Sequence, residues 1–163
     1  MLIPLTIVYL LHGRALPVAA GLKIARPDLP VLATGGAGAA LALGGNHFFH
    51  AMRRNVDMTY ILMDNQIYGM TKGQSAPTSH RGFQSKTTPY GALENSVDPV
   101  WAALTMGATY VAQGASYDLK QLIELILGGL RHPGTAFINA LSPCVTFNKE
   151  IDKPFFKENA LAM

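Results

Sequence analysis

The sequence predicts an α/β fold, a mostly parallel sheet with helices on both faces. Three observations predict it. Apolar runs of strand length alternate with helix-patterned segments along the chain. One run, residues 58–63 (MTYILM), is apolar almost throughout, as a strand buried on both faces must be. Two of the runs end in loops suited to ligands, and open parallel sheets bind ligands beyond the carboxyl ends of their strands.

The elements follow in order. Residues 1–11 (MLIPLTIVYLL) are apolar and predict a buried strand or a partner-facing segment. The run is too short to span a bilayer, and it lacks the basic region and small-residue cleavage site of a signal peptide. Residues 13–25 are rich in Ala and Leu and predict a helix, with Pro17 in its first turn. Pro27-Asp28-Leu29-Pro30 breaks it, and 31–34 is a short strand running into glycines. Residues 40–54 predict a helix interrupted at Gly44-Gly45 and closed by Arg53-Arg54, where cations suit the helix dipole. Residues 65–97 hold Gly, Pro, Ser, Thr and Gln with little periodicity, a long loop of the kind that is usually functional. A helix over 99–106 follows a Ser96 or Asp98 cap. A strand at 108–112, a helix at 118–131 with Ser116 or Asp118 as cap, and a strand at 135–141 complete the alternation. The tail from Asn148 is polar, with room for a turn or two of helix.

Composition bounds the function. The 163 residues suit one domain, residues 1–163. Apolar residues make up 49% and charged residues only 14%, which predicts surface buried against another protein. The net charge is +3, and no basic stripe with interleaved aromatics is present, which argues against a nucleic-acid partner. The one cysteine, Cys144, can build neither an internal disulfide nor a metal site alone, and a reducing cytoplasm is the expected setting. His47 and His50 lie three apart on a helix, a spacing metals use. Without a third ligand, and beside Phe48 and Phe49, they read as core. Met52, Met58, Met63 and Met70 read as core filler.

Two loops carry the chemistry. In Thr34-Gly35-Gly36-Ala37-Gly38-Ala39, glycines leave backbone N–H groups open to an anion at a helix N-terminus. A tight turn packed on the sheet is the other reading. A dinucleotide fingerprint is discounted, because its third glycine falls on Leu41. In Asp64-Asn65-Gln66-Ile67-Tyr68-Gly69-Met70-Thr71-Lys72-Gly73-Gln74, Asn65 offers a side-chain oxygen just past a strand and Ile67 a backbone carbonyl. Such oxygens suit octahedral magnesium when diphosphate and water complete the shell.

The Gly-x-Gly turn, followed after residues 39–63 by Asp-Asn and an apolar residue, resembles the thiamin diphosphate motif. His12-Gly13-Arg14-Ala15-Leu16-Pro17, Gly44-Gly45-Asn46-His47, Arg53-Arg54-Asn55, the 64–74 run and Ser142-Pro143-Cys144-Val145-Thr146-Phe147-Asn148 resemble the β subunit of 2-oxoacid:ferredoxin oxidoreductases. The resemblance covers residues 12–150. It implies a thiamin diphosphate-binding fold and the cofactors thiamin diphosphate, magnesium and an iron–sulfur cluster. It also implies an α subunit that completes the site and supplies the activating glutamate. The reaction implied is oxidative decarboxylation of a 2-oxoacid, 2-oxoglutarate or pyruvate, with electrons to ferredoxin and the acyl group to coenzyme A. Gly36 and Gly38 would cradle the diphosphate, Asn65 and the Ile67 carbonyl would bind magnesium, and Gly69, Met70 and Thr71 would line the cofactor. His12 would lie near it. Lys72 would pair with the substrate carboxylate, a solvated loop lysine being the other reading.

The sequence also departs from that family. Aspartates are expected where Ala37 and Ala39 stand, the first being the charged magnesium ligand, so weak metal and cofactor binding is expected. Rescue by Asp64 is disfavoured, because strand alternation turns it away from Asn65. Cys144 matches one cluster cysteine, and its companions are missing. A non-catalytic assembly or scaffold protein that keeps the fold and the partner surface is therefore the alternative.

Overall fold

The computed structural model describes residues 11–148; the apolar run before residue 11 and the tail after Asn148 lie outside the described residues. Among the described residues the main sheet holds four strands, all parallel: β1 (Leu32–Gly36), β2 (Met58–Asp64), β5 (Tyr110–Ala115) and β6 (Thr135–Leu141), in the spatial order β1-β2-β6-β5. A short antiparallel hairpin, β3 (Ile67–Tyr68) and β4 (Gln74–Ser75), lies in the segment predicted as loop. The helices are α1 (Ala15–Ala25), α2 (Gly45–Arg54), α3 (Pro99–Thr105) and α4 (Leu119–Arg131). The alternation is as predicted, but β1 continues through Gly35 and Gly36 instead of ending at Thr34, and the strand expected at 108–112 lies at Tyr110–Ala115.

The predicted helix over 40–54 is two pieces. Residues Gly38–Leu43 form a π-helical turn, and α2 starts afresh at Gly45. The break is steric. A methyl on Gly44 would meet the Ala39 carbonyl oxygen at 2.7 Å, and one on Gly13 would meet the Gly44 nitrogen at 2.8 Å. The 12–13 turn therefore packs against the junction, and Gly13 takes a left-handed conformation (φ 75°). Caps match their predicted residues. Asp98 accepts from the N–H groups of Val100 and Trp101, and Asp118 accepts from that of Gln121.

Strand periodicity sorts the two faces. Tyr60, Leu62, Ala33 and Phe137 point to one side and pack with Leu16 and Ala19 of α1, Phe48 and Met52 of α2 and Ala103 of α3. The Phe48 ring meets those of Phe137 and Tyr60 edge-on, at centroid distances of 5.3 and 6.5 Å. Thr59, Ala136 and Ile138 point the other way, to α4. Gly129 lets that helix settle onto the sheet: a methyl there would lie 3.1 Å from Ala136 Cβ. Helices thus cover both faces, as predicted. Leu32 and Met63, on the α4 side, stay about half exposed. Phe48→Ala removes the ring on which both aromatic contacts depend. It should cost about 3–5 kcal/mol in urea unfolding, and a loss under about 1 kcal/mol would show that this cluster does not anchor the core.

Candidate functional site

The two predicted loops meet. In the β1–β2 register Gly36 lies opposite Met63, so Gly36 and Asp64-Asn65 emerge side by side at the same end of the sheet. The contact between them is the Tyr68 ring against Gly38, so close that no side chain at 38 would fit. The three glycines of the first loop thus divide their work. Gly35 makes room for the Tyr60 hydroxyl, which would lie 2.5 Å from a methyl there, in surroundings whose burial raises the Tyr60 pKa. Gly38 makes room for Tyr68. Only Gly36 is open, its nearest neighbour across the missing side chain being the Met63 carbonyl oxygen at 3.9 Å.

Long-range hydrogen bonds hold the second loop. Asp64 Oδ1 accepts from Gln66 N–H (3.0 Å) and from the Thr78 hydroxyl (2.6 Å). Asn65 Oδ1 accepts from Ile67 N–H at 3.1 Å, closing a turn through its own side chain. The carbonyl of Asp64 receives Ser142 N–H at 2.8 Å, that of Asn65 receives Asn148 Nδ2 at 3.2 Å, and that of Gln66 receives the Ser79 hydroxyl. Gln66 takes a left-handed conformation (φ 59°), as does Lys72 (φ 78°), a cost the surrounding bonds offset.

The other predicted residues fall as follows. Gly69 lies against Asn65: a methyl there would be 3.3 Å from Asn65 Nδ2. Met70, Thr71 and Lys72 are exposed at the hairpin tip, where the Thr71 hydroxyl donates to Gln74 Oε1. Ile67 is buried with Phe83 and Ala92 in a second small core, and Cys144 packs against it half-buried. His12 is exposed, and its neighbour Gly13 sits at Leu43–Gly44, the end of the π-helical turn away from Gly38. Ala37 is buried, with its methyl where a carboxylate was expected. Asp64 is buried, and its Oδ1 accepts from both Gln66 N–H and the Thr78 hydroxyl. Among the described residues, no three His, Cys, Asp or Glu side chains gather at one place. Thr78 and Ser79, which also hold this loop, carry no local sequence signal beyond a Pro-Thr-Ser turn.

The donor set suits a diphosphate: an open glycine backbone at a strand end, with the amide Asn65 beside it. A cation would find only neutral protein oxygens there. Asn65 Oδ1 keeps a second lone pair besides the one given to Ile67, so its share in a metal shell is open.

Desolvation raises the pKa of Asp64 above its ordinary value, against the two donors that lower it. A carboxyl that binds its proton more tightly folded than unfolded loses stability as pH rises through the folded value. Asp64→Asn keeps an acceptor for both donors and drops the desolvated charge. Its stability relative to wild type should therefore improve between acid and neutral pH in metal-free buffer, and a constant difference would refute this. Asp64→Ala strands both donors and should cost about 1–3 kcal/mol at acid pH, with a smaller cost at neutral pH.

Comparison with known proteins gives the lineage. Residues 3–140 match the family described as thiamine pyrophosphate enzyme, C-terminal TPP binding domain. A 2-oxoacid:ferredoxin oxidoreductase subunit beta from Sulfolobus is 45% identical over 97% of this chain and 53% of its own length. A 2-oxoglutarate synthase subunit KorB from Methanocaldococcus jannaschii is 44% identical over 92% of this chain and 58% of its own. The chain thus spans about half the length of these relatives. Among solved structures, a 2-oxoglutarate:ferredoxin oxidoreductase from Magnetococcus marinus, with 2-oxoglutarate, coenzyme A and succinyl-CoA bound, superposes with a TM-score of 0.88 at 50% identity, over 90% of this chain and 50% of that one. A thiamine diphosphate-dependent 4-hydroxybenzoylformate decarboxylase from Rhodococcus jostii shares the fold, with a TM-score of 0.59 at 21% identity. With its two loops joined at one end of a parallel sheet, the chain belongs to the thiamine pyrophosphate enzymes, as their C-terminal cofactor-binding domain, and is similar to the β subunits of 2-oxoacid:ferredoxin oxidoreductases.

Proposed function

We propose that this chain is the thiamin diphosphate-binding part of a 2-oxoacid:ferredoxin oxidoreductase, and that the diphosphate lies across the ends of β1 and β2. The observation that carries the reading is the open backbone at Gly36, beside the strand that delivers Asn65. When bound, thiamin diphosphate supplies the electron sink for decarboxylating a 2-oxoacid. This chain's part is to bind and orient. Peptide N–H groups at Gly36 and Gly38 hold the diphosphate. Asn65 Oδ1 and the Ile67 carbonyl are the oxygens offered to magnesium, and the diphosphate provides the negative charge that Ala37 does not. Gly69, Met70 and Thr71 line the approach, with His12 at its margin. Lys72, exposed on the hairpin tip, meets the carboxylate of the 2-oxoacid.

An α subunit completes the site, ferredoxin takes the electrons and coenzyme A the acyl group, in the cytoplasm. Tyr90, Leu93 and Trp101 are exposed apolar side chains that such a partner could cover. An iron–sulfur cluster needs thiolates besides Cys144. One observation favours the second reading, a non-catalytic assembly or scaffold subunit: at the metal position Ala37 is a buried methyl, and Asp64 is committed to Thr78.

Calorimetric titration separates the two. Magnesium-dependent binding of thiamin diphosphate in the micromolar range supports the enzyme component, and no heat at millimolar cofactor supports the scaffold. Ala37→Asp restores a charged ligand and should tighten magnesium-dependent binding by about 10-fold or more. An unchanged affinity would show that the charge at 37 is not what limits the site.

A further inference from the structure

Asn148 has no cofactor role in the reading above, yet it is built into the site. It closes the turn after β6, its N–H donating to the Cys144 carbonyl at 3.1 Å. Its side chain is 3% exposed. Nδ2 donates to the Asn65 carbonyl at 3.2 Å, across 83 positions of sequence. Oδ1 is buried and has no partner among the described residues. A buried acceptor without a donor is unfavourable. Turning the amide over gives no relief, because it would set oxygen against the Asn65 oxygen and strand the nitrogen instead. The orphan is borne so that the donor can face Asn65.

The bond acts on more than one carbonyl. The Asn65–Gln66 peptide lies inside the ring closed by Asn65 Oδ1 and Ile67 N–H. Holding that peptide plane holds the ring, and with it the direction of the Asn65 side-chain oxygen. Phe147, one residue earlier, packs on Gly73, where a methyl would lie 3.0 Å from its Cβ, so the same turn steadies the far end of the hairpin.

Resting on the thiamin diphosphate reading, we propose that Asn148 is a positioning residue of the site, its side-chain N–H pinning the Asn65 peptide so that the Asn65 side-chain oxygen is aimed for a cation. Asn148→Asp tests it, because the variant keeps the shape, removes the donor and sets a carboxylate oxygen against the carbonyl. Asn148→Ala removes the donor without adding charge and serves should the first variant not fold. Two readouts on the full chain decide. Without ligand, hydrogen exchange at the amides of Gln66 and Ile67 should quicken by about 10-fold or more while far-UV circular dichroism is retained. With thiamin diphosphate, the magnesium concentration for half-maximal binding should rise by about 10-fold or more. A residue that merely fills space would leave both unchanged in the uncharged Asn148→Leu variant of similar volume, and that result overturns the proposal. If the wild type binds no cofactor, the proposed function fails, and the exchange readout still decides the role of Asn148.

Discussion

The parallel register of β1 on β2 is the constraint on which the site depends. Five consecutive pairings, ending at Gly36 opposite Met63, bring the glycine turn and the Asn65 loop out at neighbouring positions. Parallel strands require a crossover between them, here the π-helical turn and α2, so two segments far apart in sequence must emerge on the same edge. A register slip of one residue would exchange the Tyr60 and Thr59 faces and bury the wrong side chains, so the core that holds Phe48, Tyr60 and Phe137 also fixes the loops. The stability of the core and the geometry of the site are therefore one problem.

Small residues at the strand ends do steric work. Gly35 and Gly38 are occupied by neighbouring rings, Tyr60 and Tyr68, and leave Gly36 as the bare backbone. The Asn65 loop is fixed by hydrogen bonds, each contributing on the order of 1 kcal/mol. Their partners come from Thr78 and Ser79 on one side and from Ser142 and Asn148 on the other. A loop built this way keeps its shape before any ligand arrives, which lowers the ordering cost of binding.

Electrostatics sets the limit on the site. Its interior carries one carboxyl, Asp64, turned toward Thr78 and raised in pKa by burial. Ala37 contributes no charge. The low charge of the sequence fits its many exposed apolar side chains, Trp101 and Leu93 among them.

Much was legible without coordinates. Apolar periodicity gave the alternation of strands and helices, Asp98 and Asp118 announced their helices, and the spacing of Gly36 and Gly38 from Asn65 announced the two loops. These signals are local, carried by residues a few positions apart. What the sequence alone could not supply depends on residues that meet only once the sheet has formed. Strand β1 runs through two glycines because β2 offers it partners, and the helix after it divides at Gly44 because the 12–13 turn presses on that point. Tyr68 claims the space over Gly38, and Asn148 reaches Asn65 from the far end of the chain. Side-chain chemistry and order along the chain determined the fold class and marked the two strand-end loops. Three-dimensional packing decided which glycine is open and where the Asp64 carboxyl points, because steric contact and hydrogen bonding act over ångströms of space and are indifferent to distance in sequence.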